Sequence, residues 1–304
     1  MSSSRRSTNA PPLDYVSGLT KSLHLDRSAP TKSSFAHIDQ QPPVQQAKLK
    51  PDVVEMVGPV SQDQDLRNLP FIPVTEQEEE EVRLMRHPPQ EGATNKSSDP
   101  IILEGRPAEA VNMPTPLQTF AGMTQNLGCS SCLPPDTDGD VGPNHYVQAV
   151  NSSIRVHDKS GNVLAGPVTY NSFFSALGTS TPCGNNQNQG DGIVFYDHIA
   201  DRWVVSDFAF PAFPGTSFYQ CIGVSKTSDP VAGGYWLYAV QVDPSNTNFI
   251  GDYPKFGLWP DAYYMTVNLF SNNTTFNGVR VYALNRNAMI NGGPASTIAF
   301  TLSP

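Results

Sequence analysis

The sequence predicts an all-β domain preceded by a leader that does not fold, and three observations carry that reading. Of the 15 Phe, 11 Tyr and 3 Trp residues, only Tyr15, Phe35 and Phe71 precede position 116, although the prolines divide evenly about that point. Beyond it, short apolar alternations are separated by Gly, Pro, Asn and Asp, which is the pattern of half-buried strands joined by turns. The same stretch also repeats itself.

The leader, residues 1–115, is rich in Ser, Pro, Gln and Glu and has no period of 2 or 3.6, so it offers too little apolar surface to offset the entropy of ordering it. It is expected to be disordered and removable as far as about residue 112. One segment departs from that pattern. In TEQEEEEVRLMRH, Thr75 is placed to cap a helix, Glu78 to complete a capping box, and Arg83 and Arg86 to face the helix C-terminus, before Pro88 and Pro89 end it.

From 116 to 304 the runs HYVQAV, IRVHD, GIVFYD, RWVVSDF, FYQCIGVS, YWLYAVQV, AYYMTVNLF and VRVYALN read as strands. DKSGN, Asp158 to Asn162, reads as the tight turn of a hairpin. NHYVQAVN, DRWVVSD and DAYYMTVN share one pattern: an Asn or Asp, any residue, an aromatic, then a strand closed by Asn or Asp. A Gly-Asp pair precedes each, at Gly139-Asp140, Gly190-Asp191 and Gly251-Asp252, spaced by 51 and 61 residues. A unit of that length holds a four-stranded blade with its loops. The expectation is therefore a partial β-propeller of about three blades, cut at its C-terminus, with a three-repeat sandwich as the alternative.

The formal net charge of −9 is shared by both parts and leaves no basic face for nucleic acid. No apolar run reaches the roughly 18 residues of a membrane span. The first residues carry Arg5 and Arg6 with no apolar segment behind them, so no signal peptide is visible. All four cysteines, Cys129, Cys132, Cys183 and Cys221, lie in the β-rich part, a usage that suits disulfides in an oxidising compartment. The expected pairing is Cys183 with Cys221 and Cys129 with Cys132, with a zinc site as the rival.

The strings PPDTDGDVGPNHYVQAVN, YDHIADRWVVSDFAFP, FYQCIGVS and DYPKFGLWPDAYYMTVN, between about Pro116 and Pro294, resemble a largely uncharacterised family of bacterial secreted β-propeller-like proteins. The resemblance implies an extracellular or cell-surface location and a chain that continues on both sides of this one. It implies no catalytic residue.

Several residue sets could carry chemistry. Asp136, Asp138 and Asp140 alternate around Gly139, a candidate calcium loop, although an EF-hand's closing Glu is missing. The competing reading is an Asp/Gly turn whose carboxylates hold backbone amides. No glutamate follows Glu109, so acid–base catalysis would fall to aspartates such as Asp191, Asp197, Asp201, Asp207, Asp252 and Asp261. Their recurrence in the repeats argues for building rather than catalysis. His145, His157 and His198 lack metal spacing and read as surface or turn residues, and no G-x-S-x-G is present. Trp236, Tyr238, Trp259, Tyr263 and Tyr264 could stack on sugars or fill a core. The leading functional expectation is a non-enzymatic surface domain that binds a glycan, a cell-wall polymer or a surface protein. An Asp-dependent carbohydrate-active hydrolase or lyase, and a structural spacer, are the alternatives.

Overall fold

The computed structural model describes residues 50–74, 115–129, 135–272 and 274–304. The expected helix at Thr75 lies outside them. The described chain is all-β, with three antiparallel sheets and only single turns of helix. The first sheet is a meander of β3 (Thr137–Val141), β4 (His145–Val150), β5 (Ser153–Asp158) and β6 (Val163–Thr169). The second contains the meander β7 (Asn188–Asp197), β8 (Arg202–Ala209), β9 (Tyr219–Ser225) and β10 (Tyr235–Gln241). The third contains β11 (Phe249–Leu258), β12 (Tyr263–Ser271), β13 (Phe276–Leu284) and β14 (Ser296–Leu302). Each repeat of the sequence is thus one four-stranded meander, and DKSGN is the β5–β6 turn, where the Asp158 carboxylate accepts the amides of Ser160 and Asn162.

Alternation explains the packing. A strand shows one set of side chains to each face, and in the second sheet both faces are apolar. Val147, Ala149, Ile154 and Val156 of the first sheet share a core with Trp203, Val205, Leu237 and Ala239 of the second. On its other face, Val204, Ile222, Val224 and Tyr238 share a second core with Tyr263, Met265, Val267 and Tyr282 of the third sheet. Cys183 and Cys221 form a disulfide across the first of these cores. Closing this loop, a sequence separation of 38, stabilises the fold by about 4 kcal/mol in the loop-entropy estimate. Cys129 is also disulfide-bonded, while Cys132, its expected partner, lies outside the described residues.

One expectation needs correcting. Residues 50–74, assigned above to a disordered leader, are part of the fold. Strand β1 (Asp52–Glu55) pairs with the outer edge of the third sheet, and β2 (Val57–Gln62) with the outer edge of the second. The chain then turns at Leu66–Asn68, capped by the Asp65 carboxylate, and buries Leu66. It next reaches the first sheet, where the Thr169 hydroxyl donates to the Ile72 carbonyl at 2.5 Å and the Asn171 amide to the Pro73 carbonyl at 2.7 Å. Twenty-five residues therefore touch all three sheets in turn. Edge strands pair through backbone groups and need few large side chains, and an edge tolerates Pro59, so neither composition nor proline content marked them.

Residues 115–129 cover the remaining face of the first sheet. The Phe120 ring lies 5.9 Å from Tyr146 and 5.4 Å from His157, and the Met123 amide donates to Gln148 at 2.6 Å. His157 is consequently buried, not a surface residue, with burial holding its pKa below the ordinary histidine value. Its neighbours in the sequence reading fare differently: His145 opens β4, and His198 sits in the turn after β7.

Candidate functional site

The edge strands β3, β7 and β11, each the first of its meander, lie at one end of the three sheets, with β3 packed against β7 and β7 against β11. Between them is a cleft of about 250 Å³, lined by Asp136, Asp138, Asp191, Tyr253 and Lys255 among others. The Gly-Asp repeats shape it. In β7 the register shifts between Gly190 and Ile193, and in β11 between Asp252 and Lys255, so both strands bulge at the equivalent place. A bulge inserts a residue and re-aims the side chains beside it. Here the inserted turns hold Asp191 at φ 56° and Tyr253 at φ 52°, left-handed conformations that cost a non-glycine residue on the order of 1 kcal/mol or more. β3 carries its Gly-Asp pair without a bulge.

The three aspartates of DTDGD do not wrap a loop. Asp138 and Asp140 stand on one face of β3, and their carboxylates accept the amides of Val194 and Tyr196 on β7, at 2.7 and 2.8 Å. They join the first sheet to the second from an extended strand, not from the Asp/Gly turn of the competing reading. Among the described residues no group of three or more His, Cys, Asp or Glu side chains is arranged to hold a metal ion. Asp136, just before β3, instead turns to Asp191 and lies within hydrogen-bond reach of it.

That contact sets the electrostatics of the cleft. Burial, the charge of Asp252, and the charge and hydrogen bond of Asp136 together push the Asp191 carboxyl up to about 7, with Lys255 pulling the other way. Two carboxyls that close share a proton rather than ionise together. Behind Asp191, the fully buried Asp207 accepts the Gly190 amide at 3.0 Å, and burial, opposed by that hydrogen bond, drives its carboxyl well above the usual range. The Tyr170 hydroxyl, also fully buried and without a hydrogen-bond partner among the described residues, occupies the space that a side chain on Gly192 of the cleft wall would need.

A folded-state pKa raised above the unfolded one means that the native protein holds a proton that the unfolded chain releases. The associated stability is full below the ordinary aspartate range and is lost as pH rises through about 7. Replacing Asp191 by Asn is expected to flatten the fall in stability between pH 4 and pH 7. Urea midpoints at four or five pH values would check this, and an unchanged slope would refute the shared proton.

The other candidates fall into place by burial. Tyr238 and Tyr263 are core residues, and Lys226 covers the Trp236 ring with its ammonium 3.9 Å from the centroid. Trp259, 66% exposed, and Tyr264, with its hydroxyl on Asp261, stay at the surface. Asp197 is buried and paired with Arg286, and Asp201 accepts the Tyr196 hydroxyl, so neither is a free acid. Sequence reasoning missed Asp136 as a partner of Asp191, and also Tyr253 and Lys255; the Gly-Asp repeat was the available signal. No family model, no curated protein and no solved structure matches this chain.

Proposed function

We propose that this is an extracellular or cell-surface domain of β-propeller type that binds a glycan or cell-wall polymer in the cleft between the first strands of its sheets. Three meanders stacked face to face, with their first strands together, suit blades arranged about an axis. The disulfide and the sparse charge suit an oxidising compartment. The observation that carries the binding reading is the content of the cleft: carboxyls, an ammonium, and the Tyr253 ring, 53% exposed at its edge. Sugars are held by that combination of polar groups and an aromatic face.

The hydrolase reading draws on the proton that Asp191 keeps near neutral pH. Against it stands the pairing of that acid: Asp136 shares its proton, whereas the two carboxyls that flank a glycosidic bond act from opposite sides, at least about 5 Å apart. Retention of the full chain on immobilised polysaccharides tests the proposal. Retention without released product, weakened roughly tenfold by Tyr253→Ala, is the expected result. No retention on any polymer, or product release abolished by Asp191→Asn, would overturn it.

A further inference from the structure

We propose that the open face of the third sheet is a dimer interface, covered in solution by the same face of a second copy of this chain. The repeat sets which face each sheet turns to the next. At its fourth position, Val147 of β4 and Val204 of β8 are 0% exposed, each buried by the sheet that follows. Tyr264 of β12 holds the same position and is 38% exposed. Its face is apolar all the same. The register lines up Val53, Ile298, Ala283 and Tyr264 across four strands, with Phe300 beside Val281 in the next row. None of these six belongs to either core. An antiparallel sheet that keeps one face in water sets polar residues there, and this face does not follow that rule.

Elimination and charge name the occupant. What covers the equivalent positions of the first two sheets is another apolar sheet face. Among the described residues one such face is open: the second sheet is covered on both sides, and the far face of the first lies under residues 115–129, with Phe120 on Tyr146 and His157. The face that remains is the one to be covered, and a face that covers its own copy makes a two-fold dimer, the commonest closed assembly. On β12, β13 and β14 it carries no charged side chain, and its charged positions stand at opposite edges, Glu55 on β1 and Lys255 on β11. A two-fold axis along the strands lays β1 of one copy over β11 of the other, so the acidic edge meets the basic one. It also brings the partner's β1 beside the cleft that Lys255 lines.

Area sets the strength. Five strands about 4.8 Å apart and about seven residues long outline roughly 550 Å². Two such faces bury about 1,100 Å², at the small end of specific interfaces, so a dissociation constant on the order of 10 μM is expected. Sedimentation equilibrium of the full chain, at concentrations from tenfold below to tenfold above that value, tests this. The expected result is a reversible monomer–dimer equilibrium. Val281→Lys, on the central strand of the face, and Ile298→Lys, exposed beside it, should each raise the dissociation constant at least tenfold, because each copy then buries an unpaired charge. Val163→Lys replaces a similarly exposed residue of the first sheet and should leave the constant unchanged. Urea midpoints near that of the wild type show that the variants fold, and Ile298 is exposed enough to keep the test should Val281→Lys unfold. A chain that stays monomeric at the highest concentration would overturn the proposal, as would a dimer that survives the lysine substitutions. So would association that continues beyond two copies, since a face that covers itself closes at two, whereas strand edges go on pairing.

Discussion

A chain that begins at Thr75 is expected to lose on the order of 5 kcal/mol of stability relative to one that begins at Lys50. The shorter chain lacks β1 and β2, and with them Val54 and Met56 from one core and Leu66 from the other. Burying each such side chain contributes roughly 1.5–3 kcal/mol. Their sum is a large fraction of the total of about 5–15 kcal/mol that holds a typical domain together. The loss also uncovers the edges of β10 and β14, whose free amides and carbonyls invite pairing with another molecule. Urea unfolding and size-exclusion chromatography of the two chains would show a lowered midpoint and concentration-dependent association for the shorter one. Equal midpoints would mean that residues 50–74 lie on the sheets without stabilising them. Asp52→Ala in the longer chain separates one component: it removes an exposed partner, 3.2 Å from Arg280, but leaves Asp243 at 3.7 Å, so its effect should be small.

The contrast between those two strands and the rest explains what the sequence made legible. HYVQAV and RWVVSDF announce themselves because each packs a large apolar face, and burial writes itself into composition. Val53 and Val57 stay exposed beside Gly58 and Pro59, only Val54 and Met56 of the two strands and their junction are buried in a core, and the rest of the pairing is a row of backbone hydrogen bonds, which any residue but proline can make. The cleft was half legible. Its Gly-Asp pairs stand out as repeats, yet the property that separates them, a bulge in β7 and β11 and none in β3, is a matter of register. DTDGD is legible only in part for a related reason. Alternate aspartates around a glycine suit a loop or one face of an extended strand alike, and the strand pairing of β3, with the amides of β7 that Asp138 and Asp140 accept, is not written in the motif. Asp136 lies outside the repeat, so only the fold brings it to Asp191.

The second large effect is expected at Asp197. Its carboxylate, wholly buried at the end of β7, accepts from Arg286 Nε at 2.7 Å and Nη2 at 3.0 Å, from the Tyr263 hydroxyl at 2.7 Å, and from the amides of Ile199 and Ala200. It therefore ties the second sheet to the third. Burial pushes this carboxyl up, but the hydrogen bonds from Arg286 and Tyr263 outweigh it and hold the pKa below the usual value. Asp197→Ala leaves a buried guanidinium with the Pro260 carbonyl, 3.2 Å away, as its remaining acceptor in this network, and a tyrosine hydroxyl with none. Breaking a buried pair on one side typically costs about 3–5 kcal/mol. Removing Arg286 as well, in Asp197→Ala with Arg286→Met, should recover part of that loss, because no uncompensated charge then remains. The pH dependence has the opposite sign to that of Asp191. A depressed pKa contributes stability that is present above the unfolded aspartate value and is lost as pH falls below it, so the gap between wild type and Asp197→Ala should narrow in acid. Denaturant midpoints for the two single variants and the double, at pH 7 and pH 3, make the test. A loss under about 1 kcal/mol for Asp197→Ala, or a double variant no more stable than the single, would show that the pair contributes little to holding the sheets together.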